Sequence, residues 1–123
     1  MEKKFLPEFE GFQILKQNGI SVPEYEFVTS HEEAVTAAER IGYPVVIKVV
    51  SPQVIHKSDA GGVALNLSSP EAVKAALVQM DNRVKSTVLD AEISGYMVVR
   101  EVAAGTEFLI GGRTDPSFGK IIT

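Results

Sequence analysis

At 123 residues the chain can bury one core while leaving much of its surface exposed, so one domain, or a domain with a piece of another, is expected. A net charge of −4 with scattered lysines offers no basic stripe to track a phosphate backbone, which argues against a nucleic-acid partner. Cysteine is absent and histidine occurs only as His31 and His56, which excludes disulfides, thiolate metal sites and cysteine nucleophiles and argues against zinc; no apolar run spans a bilayer and the N-terminus lacks a signal-peptide core, so the chain reads as cytosolic.

Pro7 with Glu8 and Glu10 suits a helix start, because proline has no amide hydrogen to orphan and the acids complement the helix dipole. Phe9, Phe12 and Leu15 share one face of that helix, and Asn18-Gly19 ends it. A short strand over residues 24–28 follows Pro23. Ser30 and Glu33 form a capping box for a second helix, whose stripe of Ala34, Val35, Ala38 and Ile41 runs to Gly42. The β-branched run 45–50 is a buried strand.

After a polar loop over residues 51–59, Gly61 and Gly62 open a strand over residues 63–67 with alternating character. Ser69, Pro70 and Glu71 cap a third helix with the stripe Val73, Ala76, Leu77, Met80 and Val84, and residues 85–94 read as a loop. Strands follow over residues 96–102 and 107–113, separated by a turn at 103–106. Residues 120–123 begin one more strand. The sequence stops inside it, as expected of a fragment. These elements predict an α+β fold.

Lys48 lies among Val45, Val46, Ile47, Val49 and Val50, and strand alternation sets it on the face of Val46 and Val50. A buried ammonium needs an anion, and a unit pair about 4 Å apart gains roughly 4 kcal/mol at an effective dielectric of 20. Phosphate would serve. A lysine whose stem covers apolar surface while its head reaches water is the alternative.

The following loop concentrates His56, Lys57, Ser58 and the pair Gly61-Gly62, a composition able to close over phosphate, with histidine available as acid, base or phosphoryl acceptor. A solvated connection is the plainer reading of the same residues. Glu101 and Glu107 flank an Ala-Ala-Gly turn, where ionised carboxylates could accept from amino and hydroxyl donors; a surface pair at strand ends is the alternative. Neither a P-loop nor a G-x-G-x-x-G turn is present. His31, in the first turn of a helix, is expected to face solvent without a role.

Gly42-Tyr43-Pro44-Val45-Val46-Ile47-Lys48, Ser51-Pro52, His56-Lys57-Ser58-Asp59 and Gly61-Gly62-Val63 together resemble the ATP-grasp module of ADP-forming acyl-CoA (acetyl-CoA) synthetases. Gly19-Ile20, Val22-Pro23, Glu101-Val102, Gly105, Glu107, Asp115-Pro116 and Phe118-Gly119 extend the likeness over the whole chain. Pro7 and Arg100 depart mildly from it, standing where the family often has a serine or threonine cap and a glutamine.

The resemblance implies an ATP-grasp small lobe, an antiparallel-rich sheet with helices on one face, over residues 23–102. Residues 1–22 would lead into it and residues 103–123 would start the second lobe. It implies ATP or ADP as ligand, with Lys48 on the phosphates, Lys57, Ser58, Gly61 and Gly62 around them, Glu101 and Val102 at adenine, and Glu107 at ribose. His56 would receive the phosphoryl group from a carrier histidine on a CoA-binding α subunit or fused domain. Mg2+ ligands are expected C-terminal to Thr123, so this stretch alone would be inactive. A start at Met1 just before the first helix suits a separate β subunit. The rival reading is a noncatalytic module, for example one fused to a protein acetyltransferase.

Overall fold

A computed structural model of the chain describes residues 6–54, 57–103 and 112–122. The elements are α1 (Glu8–Gln17), β1 (Tyr25–Val28), α2 (His31–Ile41), β2 (Val45–Val50), β3 (Val63–Leu67), α3 (Pro70–Thr87), β4 (Gly95–Arg100), β5 (Gly112–Asp115) and β6 (Gly119–Ile122). Strands β1 to β4 form one antiparallel sheet in the order β1-β4-β2-β3, and β5 pairs with β6 as a hairpin. The α+β expectation holds.

Helix starts follow the sequence signals. Ser30 accepts from the Glu33 amide at 3.1 Å, and Glu33 reaches back to the amide of Thr29, one residue before the cap. Ser69 caps α3 through the Ala72 amide at 3.1 Å. Substituting either serine by alanine would cost about 1 kcal/mol. Pro7 occupies the cap position of α1, one place earlier than the first helical residue.

Helix α3 corrects the expected loop over residues 85–94. Lys85, Ser86 and Thr87 are helical, and the helix is capped at Val88, whose amide donates to the Val84 carbonyl at 2.8 Å. No glycine or proline stands there to stop the turn earlier. Strand β4 stops at Arg100, short of the expected 102, because its partner β2 begins opposite at Val45, just after Pro44. Strand β3 does not alternate cleanly. Val45 faces Leu67 but Ile47 faces Ala64, so β3 carries an extra residue, with Asn66 at φ 55°. A bulge of this kind turns successive side chains off the simple two-residue period.

The two sheet faces are covered differently. Helices α2 and α3 bury Ala34, Ala38, Leu77, Met80 and Val84 against Val45, Ile47, Val49 and Val98. On the opposite face Phe9 stacks on Phe27 at 4.5 Å and Phe12 meets Tyr25 edge-on at 5.1 Å, over Val50, Met97 and Val99. Helix α1 therefore lies across the second face, yet none of its residues is fully buried and Leu15 is exposed. Among the described residues no helix is long and apolar enough to cross a membrane.

Candidate functional site

Strand β2 is the spine of the sheet, hydrogen-bonded on both edges, and every residue in it is buried except Lys48. Lys48 sits opposite Met97 on one side and Val63 on the other, on the face that α1 crosses. The anion demanded by a cation in this strand comes from the chain itself. Glu8, in the first turn of α1, accepts from Lys48 Nζ through Oε1 at 2.5 Å and from Lys57 Nζ through Oε2 at 3.3 Å. All three side chains are less than a third exposed. Burial pushes the Glu8 carboxyl up, but hydrogen bonds and charges from Lys48 and Lys57 outweigh it and hold the group below its ordinary value. Lys48 therefore has a counterion without any phosphate, and its burial by itself no longer demands one.

The loop after β2 is anchored at two points, Val54 and Ala60, which enter the core. It then closes on itself. The Gly62 amide donates to the Lys57 carbonyl at 2.6 Å, and the Gly61 amide to the Ser58 carbonyl at 3.2 Å. A methyl group on Gly62 would sit 2.4 Å from Val49 Cγ1, and one on Gly61, at φ 75°, would sit 2.8 Å from Arg83 Cβ. Both glycines thus serve close packing, and both amides are committed inside the loop. The arrangement fixes Lys57 beside Lys48 and leaves Ser58 exposed.

Glu101 follows β4. Its amide donates to the Pro44 carbonyl at 3.1 Å, and its Oε1 accepts from the Asn66 amide at 3.2 Å, so its side chain caps the bulge of β3 across the end of β2. Val102 is 67% exposed. His56 and Glu107 lie outside the described residues.

The structure therefore brings together Lys48 and Lys57 and leaves Glu101 and Val102 at the end of β4. Sequence reasoning misses Glu8, which by local pattern is only a dipole-matching acid; it meets Lys48 across 40 residues of sequence, which no local pattern reports. His31 is also corrected. Its Nε2 lies 2.9 Å from Asp81 Oδ2 and 3.2 Å from Tyr96 Oη, while Tyr96 Oη donates to Asp81 Oδ1 at 2.5 Å. These contacts tie the start of α2 to α3 and β4, and burial together with Asp81 pushes the Tyr96 hydroxyl far up.

A cavity of about 600 Å³ between α1, β1 and α2 is lined by Phe9, Val22, Tyr25, Phe27, Arg40 and Ile41 among others, and neither Lys48 nor Lys57 forms part of its wall. Among the described residues no three His, Cys, Asp or Glu side chains gather closely enough to hold a metal ion.

Residues 1–123 match the profile of the ATP-grasp domain. The chain is 41% identical over 121 residues to the β subunit of acetate–CoA ligase (ADP-forming) I from Pyrococcus furiosus, covering 98% of this chain and 52% of that protein. It superposes with a TM-score of 0.94 and 43% identity on the dinucleotide-forming acetyl-coenzyme A synthetase 1 of Ca. Korarchaeum cryptofilum in complex with coenzyme A, Ca-AMPCP and HgCl+, covering 98% of this chain and 52% of that one. A second structure of that synthetase, with coenzyme A and Mg-AMPPCP, has its phosphohistidine segment pointing towards the nucleotide-binding site; it matches with a TM-score of 0.75 and 36% identity over 98% of this chain and 49% of that one. The chain spans about half the length of each of these relatives. A central strand carrying a lysine, a glycine-closed loop delivering a second, and a sequence match over the full chain make it a member of the ATP-grasp domain family, related to the ADP-forming acyl-CoA ligases.

Proposed function

We propose that this chain is the nucleotide-binding part of an ADP-forming acyl-CoA ligase that interconverts acyl-CoA, ADP and phosphate with free acid, CoA and ATP in the cytoplasm. The observation that carries the reading is the pair of ammonium groups, Lys48 in the central strand and Lys57 in the loop that follows it, held side by side on one carboxylate. Two adjacent cations in a partly buried setting suit a polyphosphate, because each attraction is stronger there than in bulk water. The ADP-forming relatives, and the nucleotide analogues bound to the Korarchaeum synthetase, support the same assignment.

On this reading residues 23–102 are the small lobe and residues 103–123 begin the second. Lys48 and Lys57 meet the phosphates, Ser58 offers its hydroxyl, and Gly61 and Gly62 hold the loop shut beneath them. Glu101 and Val102 border the adenine and Glu107 the ribose. His56 accepts the phosphoryl group: a ring nitrogen attacks the terminal phosphorus of ATP, the bond to the bridging oxygen breaks, and ADP leaves. A CoA-binding subunit or domain with its own phosphorylatable histidine carries the group onward, as the phosphohistidine segment of the Korarchaeum synthetase suggests. Magnesium would neutralise phosphate charge, held by ligands outside the residues described.

The test uses the intact protein with its CoA-binding partner. ADP and ATP should bind, Lys48→Ala with Lys57→Ala should abolish binding, and ATP should form from an acyl-CoA, ADP and phosphate. An acid-labile phosphoryl adduct should appear with ATP and vanish in His56→Ala. Failure of the intact protein to bind either nucleotide would overturn the proposal. Binding without turnover of any acyl-CoA would instead support a noncatalytic module.

A further inference from the structure

The two lysines do not merely lie near Glu8; they share it, one on each carboxylate oxygen. A single anionic group that contacts both ammoniums must occupy the position between them, and Glu8 is already there. Its ionised state at neutral pH follows from the lysine contacts. A second observation concerns how Glu8 is delivered. Helix α1 carries no side-chain cap hydrogen bond and no fully buried residue, and it is attached mainly through Phe9 and Phe12. Withdrawing it exposes far less apolar surface than withdrawing α2, which buries Ala34, Ala37, Ala38 and Ile41.

From these two observations we infer that Glu8 is a resident competitor for the anion site and sets its affinity: a phosphoryl group binds across Lys48 and Lys57 by replacing the Glu8 carboxylate, and the start of α1 loosens as it does so. This inference rests on the proposal that the lysines receive phosphate. Its physical content is a ligand exchange in which one carboxylate leaves two charge-assisted hydrogen bonds and a phosphate, with more oxygens and more charge, takes them. Like charge prevents both anions from remaining at full strength in the same place.

The experiment is calorimetric titration of the intact protein with ADP and, separately, inorganic tripolyphosphate, comparing wild type, Glu8→Gln and Glu10→Gln. Glu10→Gln removes the same charge from the same helix turn and serves as the control. Glu8→Gln should tighten both ligands by about fivefold or more, since one opposing charge a few ångströms away is removed, while Glu10→Gln should change them less than twofold. Hydrogen exchange over residues 8–17 of the wild type should rise when ADP binds, which reads the exchange without any variant. Equal or weaker binding by Glu8→Gln, or α1 exchange that stays level or falls with ADP, overturns the inference. If the wild type ignores ADP while tripolyphosphate still binds more tightly to Glu8→Gln, the nucleotide reading fails and the competitor stands. If ADP binds and Glu8→Gln gains nothing, the competitor fails alone.

Discussion

Replacing Gly62 by alanine would drive a methyl carbon to 2.4 Å from Val49 Cγ1 and 3.1 Å from the Lys57 carbonyl oxygen. Carbon atoms in contact sit about 3.5–4.0 Å apart, so about 1 Å of separation has to be found. Val49 cannot supply it, being fully buried in the core against α3 and its neighbours. The loop must move instead, and it is held by the Gly62 amide on Lys57 and by the Val49 amide on the Gly62 carbonyl at 2.8 Å. Overpacking of a well-filled site costs about 1–3 kcal/mol and loss of one backbone hydrogen bond about 1 kcal/mol. A total of roughly 2–4 kcal/mol corresponds to a fall in Tm of roughly 8–16 °C for a chain of this size. Urea unfolding followed by circular dichroism measures the first figure and a thermal scan the second. Because the displaced segment begins at Lys57, nucleotide affinity of the intact protein should fall as well. A Gly62→Ala protein within about 0.5 kcal/mol of wild type, with unchanged affinity, would show that strand and loop are not in the close contact on which the site depends.

Gly11, by contrast, lies inside α1 with nothing within 4 Å of the place a methyl group would take, so Gly11→Ala should stabilise the protein by about 0.5–1 kcal/mol through helix propensity, read as a higher urea midpoint. Glu8 should make stability fall in acid. Its folded-state carboxyl lies below the ordinary value of 4.5, so its contribution is complete above that value and is lost as pH drops through the lowered one. Unfolding free energies of wild type and Glu8→Gln, measured from pH 7 to about pH 3, should therefore converge at the acid end; a constant gap would refute the ion-pair assignment.

Much of the fold was legible because its signals are local. Ser30 with Glu33, Ser69 with Pro70, and the stripe from Val73 to Val84 each act within a helical turn or two, and the apolar run of β2 marks a strand buried on both faces. The chemistry of the site was legible only as composition. Lys48 in a strand asks for a negative partner, but whether that partner is a ligand or a residue 40 positions earlier depends on which sheet face α1 crosses, and that is set by tertiary packing. Phe9 and Phe12 advertise an apolar face without saying where it docks. The glycine pair reads in sequence as a cradle for anions; that Val49 and Arg83 leave no room for a side chain at either position depends on contacts between segments far apart in sequence. His31 illustrates the same limit, since Asp81 and Tyr96 approach it only when α2, α3 and β4 assemble.

The order β1-β4-β2-β3 has a consequence for synthesis. Only β2 and β3 are neighbours both along the chain and in the sheet; β1 must wait for a partner that is made roughly seventy residues later, when β4 slides between the two halves. A nascent chain that has not yet released residues 95–100 can offer little more than a hairpin and its helices, with the edges of β1 and β2 still unpaired. Emergence from the ribosome thus leaves the lysine-bearing strand half-zipped until the last member of the sheet arrives, and that interval is when a holding chaperone would matter most.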